Sequence, residues 1–296
     1  MDKEIERAIL KTLIYSDIFD YPLSQDELWK FLIGHKTSRE SFDKALRDLS
    51  SKIIFKKGLY CLLDRERTVD IRIKRRKESR KKIVVAKKII KQLTLLPTIQ
   101  FIGISGGLSL GNSERDDDID LFVIASKGTL WLTRLAMITL LLIIGKYRGR
   151  NQRQVSDKIC LNMLIDDGAL SFPKERQNLY TAHEIVQLMP VFERNSTYIK
   201  FINANKWVEN FLPNALERGT TQNRTQNNAE KGFRVFPRIV QRISAVEHFA
   251  KAVQLWFIKR HLTTETISDS FLAFHPLDYK NITLKEYEKR MLKYEI

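Results

Sequence analysis

The sequence predicts a mixed α+β fold, in which a central sheet with helices stands between a small helical unit and a helical C-terminal part. Three patterns indicate this fold class. First, capped helical patterns followed by a hairpin signal stand at the start of the chain. Second, β-type apolar runs occupy its middle. Third, apolar residues are spaced three and four apart beyond Ser171. The predicted divisions of the chain are 1–63, 64–97, 98–170 and 171–296.

The composition favours a folded protein that binds anions. The chain has 296 residues and a formal net charge of +16, which attracts polyanions such as nucleic acid. Hydrophobic residues at 43% and charged residues at 29% exclude disorder of the whole chain. Cys61 and Cys160 stand in separate apolar runs, which indicates buried thiols in a reducing compartment. Because the N-terminus lacks the apolar core of a signal peptide, we expect a cytoplasmic location.

The first division, 1–63, is predicted to contain three helices and a hairpin. Capping boxes at 24–27 and 37–40 open the second and third helices, and two β-type runs flank Lys56-Lys57-Gly58. The arrangement resembles a winged helix-turn-helix. That resemblance implies that helix 38–51 reads nucleic acid with its outward charges, Arg39, Lys44 and Arg47. Packing against the rest of the chain or against a partner protein is the alternative.

A densely basic segment, 65–91, is predicted to form a connecting helix that Pro97 ends. Its apolar residues have the spacing of one buried stripe; they are Ile83, Ala86, Ile90 and Leu93. Its basic residues are Arg72, Lys74, Arg75, Arg76, Lys77, Arg80, Lys81, Lys82, Lys87, Lys88 and Lys91. Such a helix can bind a nucleic-acid backbone by releasing counterions. A solvated surface face is the alternative.

The central division is predicted to contain three strands and one apolar helix; the strands are 99–104, 118–125 and 159–165, and the helix is 129–144. The apolar run 130–144 is interpreted as a helix buried against the sheet. A membrane span needs about 20 apolar residues, whereas this run is shorter and contains Arg134. We therefore expect no membrane association.

The stretch 101–124 joins a glycine turn to a pair of carboxylates. Gly106 and Gly107 follow a β-type run, and because they lack Cβ atoms their N–H groups can approach an anion closely. Asp118 and Asp120 flank one apolar residue at the start of the next β-type run, so the alternation of a strand points both carboxylates to one face. Two carboxylates beside a phosphate seat suit Mg²⁺.

These residues resemble the signature of the nucleotidyltransferase superfamily that includes DNA polymerase beta. That signature is Gly-[Gly/Ser], a spacer of about ten residues and Asp-x-[Asp/Glu] in a strand. Gly111 and Asp117 match a further glycine and polar residue that small nucleotidyltransferases often carry. The resemblance implies a nucleotidyltransferase-type mixed sheet, an NTP substrate, and Mg²⁺ or Mn²⁺ as cofactor. It implies that the metal is held by Asp118 and Asp120 and the phosphates by Ser105, Gly106, Gly107 and Ser109.

The predicted third strand departs from the family pattern, which usually places a third carboxylate there. Asn162 is the polar residue of Cys160-Leu161-Asn162-Met163-Leu164. Its amide oxygen can ligate Mg²⁺ but cannot accept a proton. Asn162 is therefore the candidate third metal ligand, with Asp166 or Asp167 as alternatives just past the strand. Use of one main metal, or loss of transfer with nucleotide binding kept, are the other interpretations.

The last division is predicted to be helical, with patterns at 178–189, 198–211 and 238–262. The resemblance implies that this domain clamps the nucleotide or the acceptor. A polar stretch near 219–232 is predicted to be a mobile loop. No second histidine follows His183 at zinc-protease spacing, so His183 is interpreted as structural.

The expected function is metal-dependent transfer of an NMP from an NTP to an acceptor hydroxyl. Nucleic acid, RNA in particular, is the first acceptor to expect, because of the basic segment 65–91 and the winged unit. A protein hydroxyl and a small molecule such as an aminoglycoside follow. The alternative function, which Asn162 favours, is a nucleic-acid-binding regulator or antitoxin-like partner with a degenerate nucleotidyltransferase domain.

Overall fold

The computed structural model describes residues 3–149, 152, 154–216, 237–259, 266–274 and 279–296. Within these residues the fold is a mixed α+β arrangement, as predicted, with a two-stranded and a six-stranded sheet. The loop predicted near 219–232 lies outside the described residues.

The N-terminal part consists of three helices and a hairpin, which are α1 (Lys3–Asp17), α2 (Gln25–Lys30), α3 (Arg39–Asp48), β1 (Ile53–Lys56) and β2 (Leu59–Leu62). The predicted capping box at the start of α2 is formed, since Ser24 and Glu27 bond each other's backbone N–H groups. The box predicted at 37–40 is wrong. Ser38 caps α3 instead, and its hydroxyl accepts from the Ser41 backbone N–H.

The basic segment forms one long helix, α4 (Arg67–Leu93), which ends four residues before Pro97. Two of the basic residues that we expected to face a polyanion, Arg72 and Lys82, are buried instead. Arg72 reaches Glu27 at 2.7 Å, and Lys82 donates to the Asp117 carbonyl at 2.5 Å. These two cations join α4 to its neighbours, so they are not part of a solvated face.

The six-stranded sheet contains the three predicted strands and three that were not predicted. The predicted ones are β3 (Ile99–Ile104), β4 (Ile119–Ala125) and β5 (Ile159–Asp166), and the others are β6 (Met189–Glu193), β7 (Thr266–Ile267) and β8 (Phe271–Ala273). Their order is β6-β3-β4-β5-β8-β7. Only β4 and β5 pair in parallel among these strands, and α6 (Leu130–Ile143) makes the crossover between them.

The expectation of helices alone beyond Ser171 is wrong at the strands β6 and β8, which pair with β3 and β5. The helices of this part are α7 (Leu179–Val186), α8 (Thr197–Ala204), α9 (Pro237–Lys259) and α10 (Tyr279–Lys293). Backbone pairing therefore ties this part of the chain to the central sheet.

Helices cover both faces of the sheet. One face packs against α6, α9 and the second half of α4 through residues such as Ile102, Leu121 and Leu164. The opposite face, with Phe101 and Phe122, packs against α7, α8 and a core continuous with the N-terminal helices. A catalytic side chain on this second face would lie between the sheet and α7.

The apolar helix α6 is buried against the sheet and α9, as predicted. The Glu247 carboxylate of α9 accepts from the backbone N–H groups of Trp131 and Leu132, at 2.7 and 2.8 Å. It thereby satisfies two donors that a helix start leaves without an intrahelical acceptor. Among the described helices none has the length and apolar character to span a bilayer.

The ion pair between Glu27 and the buried Arg72 joins the N-terminal part to α4. We expect this pair to make the stability of the protein depend on pH. Burial opposes ionisation of Glu27, but the Arg72 charge and hydrogen bonds from Arg72 and Ser24 outweigh it and hold the Glu27 pKa below its ordinary value. Because the Glu27 pKa is lower in the folded than in the unfolded state, ionised Glu27 stabilises the folded protein at neutral pH. This stabilisation is lost as the pH falls below about 4.3.

Replacing Glu27 by glutamine should lower the free energy of unfolding at pH 7 by about 2–3 kcal/mol, since Arg72 is left buried without its counter-charge. The deficit should shrink towards pH 3. Denaturant unfolding of both proteins between pH 3 and 8 measures it. Asp26→Asn is the control, because its pair with Arg39 is at the surface and should contribute less than about 1 kcal/mol. An equal loss in both variants would contradict the prediction.

Candidate metal and nucleotide site

The structure brings the two predicted carboxylates together on one face of the sheet. Asp118 immediately precedes β4, and Asp120 is the second residue of that strand. Both are half-buried. Cys160 pairs with Asp120 across the parallel register. One ligand atom from each of Asp118, Asp120 and Cys160 lies within 4.8 Å of the others. The strand alternation that motivated the prediction is therefore present.

The glycine turn lies directly against this pair. Residues Gly106–Ser109 form a single helical turn, α5, after β3. Gly106 has a left-handed φ of +63°, and a Cβ atom there would lie 2.8 Å from Asp120 Oδ2. The Ser105 backbone N–H donates to the Asp120 carbonyl at 3.0 Å. Only glycine fits both the backbone conformation and the approach of the carboxylate at position 106.

The other predicted phosphate-binding residues lie around the same turn. Gly107 is exposed, whereas Ser105 is buried. The Ser105 hydroxyl has no hydrogen-bond partner among the described residues. Ser109 donates to the Gly106 carbonyl at 2.8 Å, so its hydroxyl closes the turn. Of the two serines, Ser105 is therefore the one whose hydroxyl has no partner in the described part of the chain.

The basic loop 146–153 is expected from the sequence either to reach substrate phosphates or to form a surface turn, and a contact with Asp118 was not predicted for it. Arg148 of this loop supplies a positive charge to the site. Its Nε lies 2.8 Å from Asp118 Oδ2, and its Nη1 lies 3.5 Å from Cys160 Sγ. Burial raises the pKa of Asp118, and the Arg148 charge opposes that rise. Burial and the neighbouring Asp118 charge raise the pKa of Asp120 to about 7. Two carboxylates held this close favour a cation between them.

Of the candidates for a third metal ligand, Asn162 lies near the carboxylate pair, whereas Asp166 and Asp167 lie at the far end of β5. Asn162 is buried at a register shift of β5, between Leu161, which pairs with Leu121, and Met163, which pairs with Phe122. Its side chain lines a small cavity with Ser105. Asp166 and Asp167 are wrong as substitutes. Asp166 pairs with Ala125, five residues along β4 from Asp120, which is about 17 Å away.

Asp166 also has a structural role at that far end. Its carboxylate accepts from the backbone N–H groups of Gly128 and Gly168, at 2.6 and 2.7 Å. These bonds fix the turn before α6. Neither Asp166 nor Asp167 can therefore serve the pair formed by Asp118 and Asp120.

Glu184 is a further acid near the pair that sequence reasoning passed over. It projects from α7 and lines the small cavity together with Ser105 and Asn162. Burial raises the pKa of Glu184 to about 7, with a hydrogen bond from Tyr180 opposing the rise and the Asp120 charge adding to it. Glu184 of α7 thus provides a carboxylate near Asn162, the position of β5 where a third carboxylate was expected.

His183, its neighbour, has the surroundings of a structural residue. The ring is buried and stacks on Tyr15 with centroids 4.3 Å apart. Burial lowers the pKa of His183 to about 3, so the ring is neutral at physiological pH. His183 helps to pack α7 on α1 and so fixes the position of Glu184.

Three residues of the site were missed, and each has a weak signal in the sequence. Cys160 lies in the predicted third strand, but its position opposite Asp120 follows from the parallel register that the structure shows. Arg148 belongs to the basic loop 146–153, whose sequence does not indicate its contact with Asp118. Glu184 belongs to a helix far along the chain, and only the packing of α7 on the sheet brings it close. Both cysteines are free.

Comparisons with family models, with curated proteins and with solved structures give no match. The functional argument therefore depends on the residues of the site and on their geometry.

Proposed function

We propose that this protein is a metal-dependent nucleotidyltransferase that transfers an NMP from an NTP to an acceptor hydroxyl. The observation that carries the proposal is the contact of Gly106 with Asp120, which places a carboxylate pair beside a turn that can receive phosphates. In this proposal the central sheet has the nucleotidyltransferase arrangement and the N-terminal part is a winged helix. We propose the cytoplasm as the place of action, since NTPs and Mg²⁺ are available there.

The donor atoms fit a hard divalent cation. Asp118 and Asp120 offer carboxylate oxygens, which Mg²⁺ and Mn²⁺ prefer. Burial and the nearby carboxylates raise the pKa of the Cys160 thiol well above its ordinary value, so this group stays protonated and is a poor ligand for a hard ion. Asn162 remains the proposed third ligand. A bound Mg²⁺ would neutralise charge on the triphosphate and on the departing pyrophosphate.

The protein's own groups have separate tasks in the transfer. The backbone of Gly106 and Gly107, with the Ser105 hydroxyl, binds and orients the β- and γ-phosphates. The acceptor oxygen forms a bond to the α-phosphorus while the bond from that phosphorus to the bridging oxygen breaks, and pyrophosphate leaves. Glu184 is the proposed acceptor of the hydroxyl proton. Arg148 stabilises negative charge beside Asp118.

Replacing Glu184 by glutamine is expected to lower kcat by about 10²-fold, because the amide cannot accept the proton. The dissociation constant of the metal–NTP complex should stay within about twofold of the original value, since Glu184 is not proposed to bind either. Stopped-flow transfer and equilibrium nucleotide titration measure the two quantities. Glu175→Gln is the control on the exposed surface nearby. A wild-type kcat in Glu184→Gln would remove this residue from the mechanism.

The proposed function is tested by incubating the full chain with each α-labelled NTP, Mg²⁺ or Mn²⁺, and either total RNA or the protein alone. Covalent label on RNA or on protein, lost on chelation of the metal, supports transfer and identifies the acceptor class. A screen of small hydroxyl compounds covers the third acceptor class. Absence of label with every NTP, metal and acceptor would overturn the proposal.

A nucleic-acid-binding regulator is the second candidate, and the pairing of Arg148 with Asp118 favours it. In such a protein the guanidinium would neutralise the carboxylate permanently. The exposed cations of α3, Arg39, Lys44 and Arg47, would then bind DNA. No transfer, together with DNA binding that is lost in Arg39→Gln/Arg47→Gln, would support the regulator.

A further inference from the structure

A basic cleft lies beside the candidate site and has no role in the transfer described above. It has a volume of about 560 Å³, within the range of ligand-binding pockets. Its walls come from α2, from Arg39 at the start of α3, from the middle of α4, from the end of α5 with the two residues after it, and from the α7–β6 turn. The cleft therefore lies where α2 of the N-terminal part and α4 meet α5 and the α7–β6 turn.

The acids of the cleft are already neutralised inside the fold. Asp26 pairs with Arg39, and Glu27 pairs with Arg72. Two further arginines of the wall, Arg76 and Arg80, are exposed. In the described part of the chain their guanidinium groups form no ion pair or hydrogen bond. The cleft thus presents two unneutralised positive charges.

These two arginines are spaced to act together. They stand four residues apart on α4, so their side chains leave the helix on the same side, one turn apart. Arg76 packs beside the turn that follows α5, since its Cγ would lie 3.8 Å from a Cβ atom at Gly111. Arginine binds phosphate oxygens through paired N–H donors. The pair is suited to successive phosphates of one ligand.

The wall also contains aromatic and apolar residues. Trp29 lines the cleft with its ring under the Arg39 guanidinium, 4.8 Å from the ring centroid. Leu188 and its neighbours in the α7–β6 turn form the opposite wall. Leu188 also lines the small cavity with Ser105 and Glu184. The cleft therefore adjoins the place where the acceptor hydroxyl must react.

We propose that this cleft binds the 3′-terminal part of a single-stranded nucleic acid, with Arg76 and Arg80 on its phosphates and an unstacked base near Trp29. Single strands are bound by such combinations of cationic groove and aromatic ring. The triphosphate seat begins at Gly106, at the other end of α5, so the cleft is left for the second substrate. The interpretation of the cleft as an acceptor site rests on the proposed function. The binding of a single strand in the cleft does not depend on that function.

Fluorescence anisotropy with a labelled single-stranded RNA of mixed sequence, without NTP or metal, tests the binding in the full chain. Arg76→Gln/Arg80→Gln should weaken it at least about tenfold and reduce the salt slope by about 1.4, the value for two lost phosphate contacts. Lys87→Gln/Lys91→Gln removes the same charge from exposed positions of α4 outside the cleft. It should weaken binding less than about threefold.

Equal losses in the two double variants would overturn the proposal, since only the overall charge would then matter. Preference for duplex or for an acidic protein over the single strand would overturn it as well. If the unmodified full chain binds RNA and Arg76→Gln/Arg80→Gln weakens this binding as expected, but the full chain transfers no NMP, the cleft stands and the proposed function fails. If transfer occurs and neither double variant changes the KM for RNA, the function stands and the cleft fails.

Discussion

Replacing Asp118 or Asp120 by asparagine is expected to reduce NMP transfer by about 10³-fold or more, because each change removes a charge that holds the cation at the reacting phosphate. Asparagine keeps the size of the side chain. The loss should therefore appear in kcat and in metal affinity while the fold is kept. Steady-state transfer of labelled NTP and direct titration with Mn²⁺ measure the two effects.

Two comparisons separate this chemical effect from damage to the fold. Asp116→Asn changes the same acidic run at an exposed position and should keep full transfer. Asp120→Asn should leave the melting temperature unchanged or raise it, because the burial that raises the pKa of Asp120 makes its charge unfavourable in the fold. Full transfer by either carboxylate variant would disprove the metal role of that residue.

The strands and the helix around the site could be predicted because each is a long run with a clear pattern. The β4 run has Asp120 inside an apolar segment, which an acidic surface turn would not have. The run that forms α6 is too long and apolar to be a strand. Local pattern was sufficient for the strands, since burial on both faces of the sheet favours near-continuous apolar runs.

The added strands could not be predicted, because their residues show no such pattern. All five residues of β6 are half-buried, so they show no alternation of apolar and polar residues. Pro190 in the same run argues against a strand. Proline is tolerated at an edge strand, which is where β6 lies. The strand β8 has three residues and exists through its pairing with β5. Such pairing depends on the tertiary fold, which a local window does not contain.

The site could be predicted only where its residues are neighbours in sequence. The glycine turn and the carboxylates fall within one short stretch, and their spacing carried the prediction. Arg148 and Glu184 reach Asp118 and the small cavity through packing of separate elements. For the same reason the basic helix was misjudged at Arg72 and Lys82, whose partners lie in other parts of the chain.

Replacing Gly106 by alanine is expected to abolish most of the transfer, by about 10²-fold or more, because the new methyl group must displace the Asp120 carboxylate. A Cβ atom at this position would lie 2.8 Å from Asp120 Oδ2, and the φ of +63° is strained for alanine. The strain alone costs roughly 1–2 kcal/mol. We therefore expect weaker Mn²⁺ binding together with a modest loss of stability.

Gly58→Ala separates the two causes. Gly58 has a φ of +80° and nothing within 4 Å of its missing Cβ atom, so alanine there brings backbone strain without a new contact. Both variants should lose comparable stability in thermal unfolding, while only Gly106→Ala should lose Mn²⁺ affinity and transfer. If Gly106→Ala binds metal normally, the carboxylate is free to move away from the turn. The contact on which the proposed function depends would then have no functional importance.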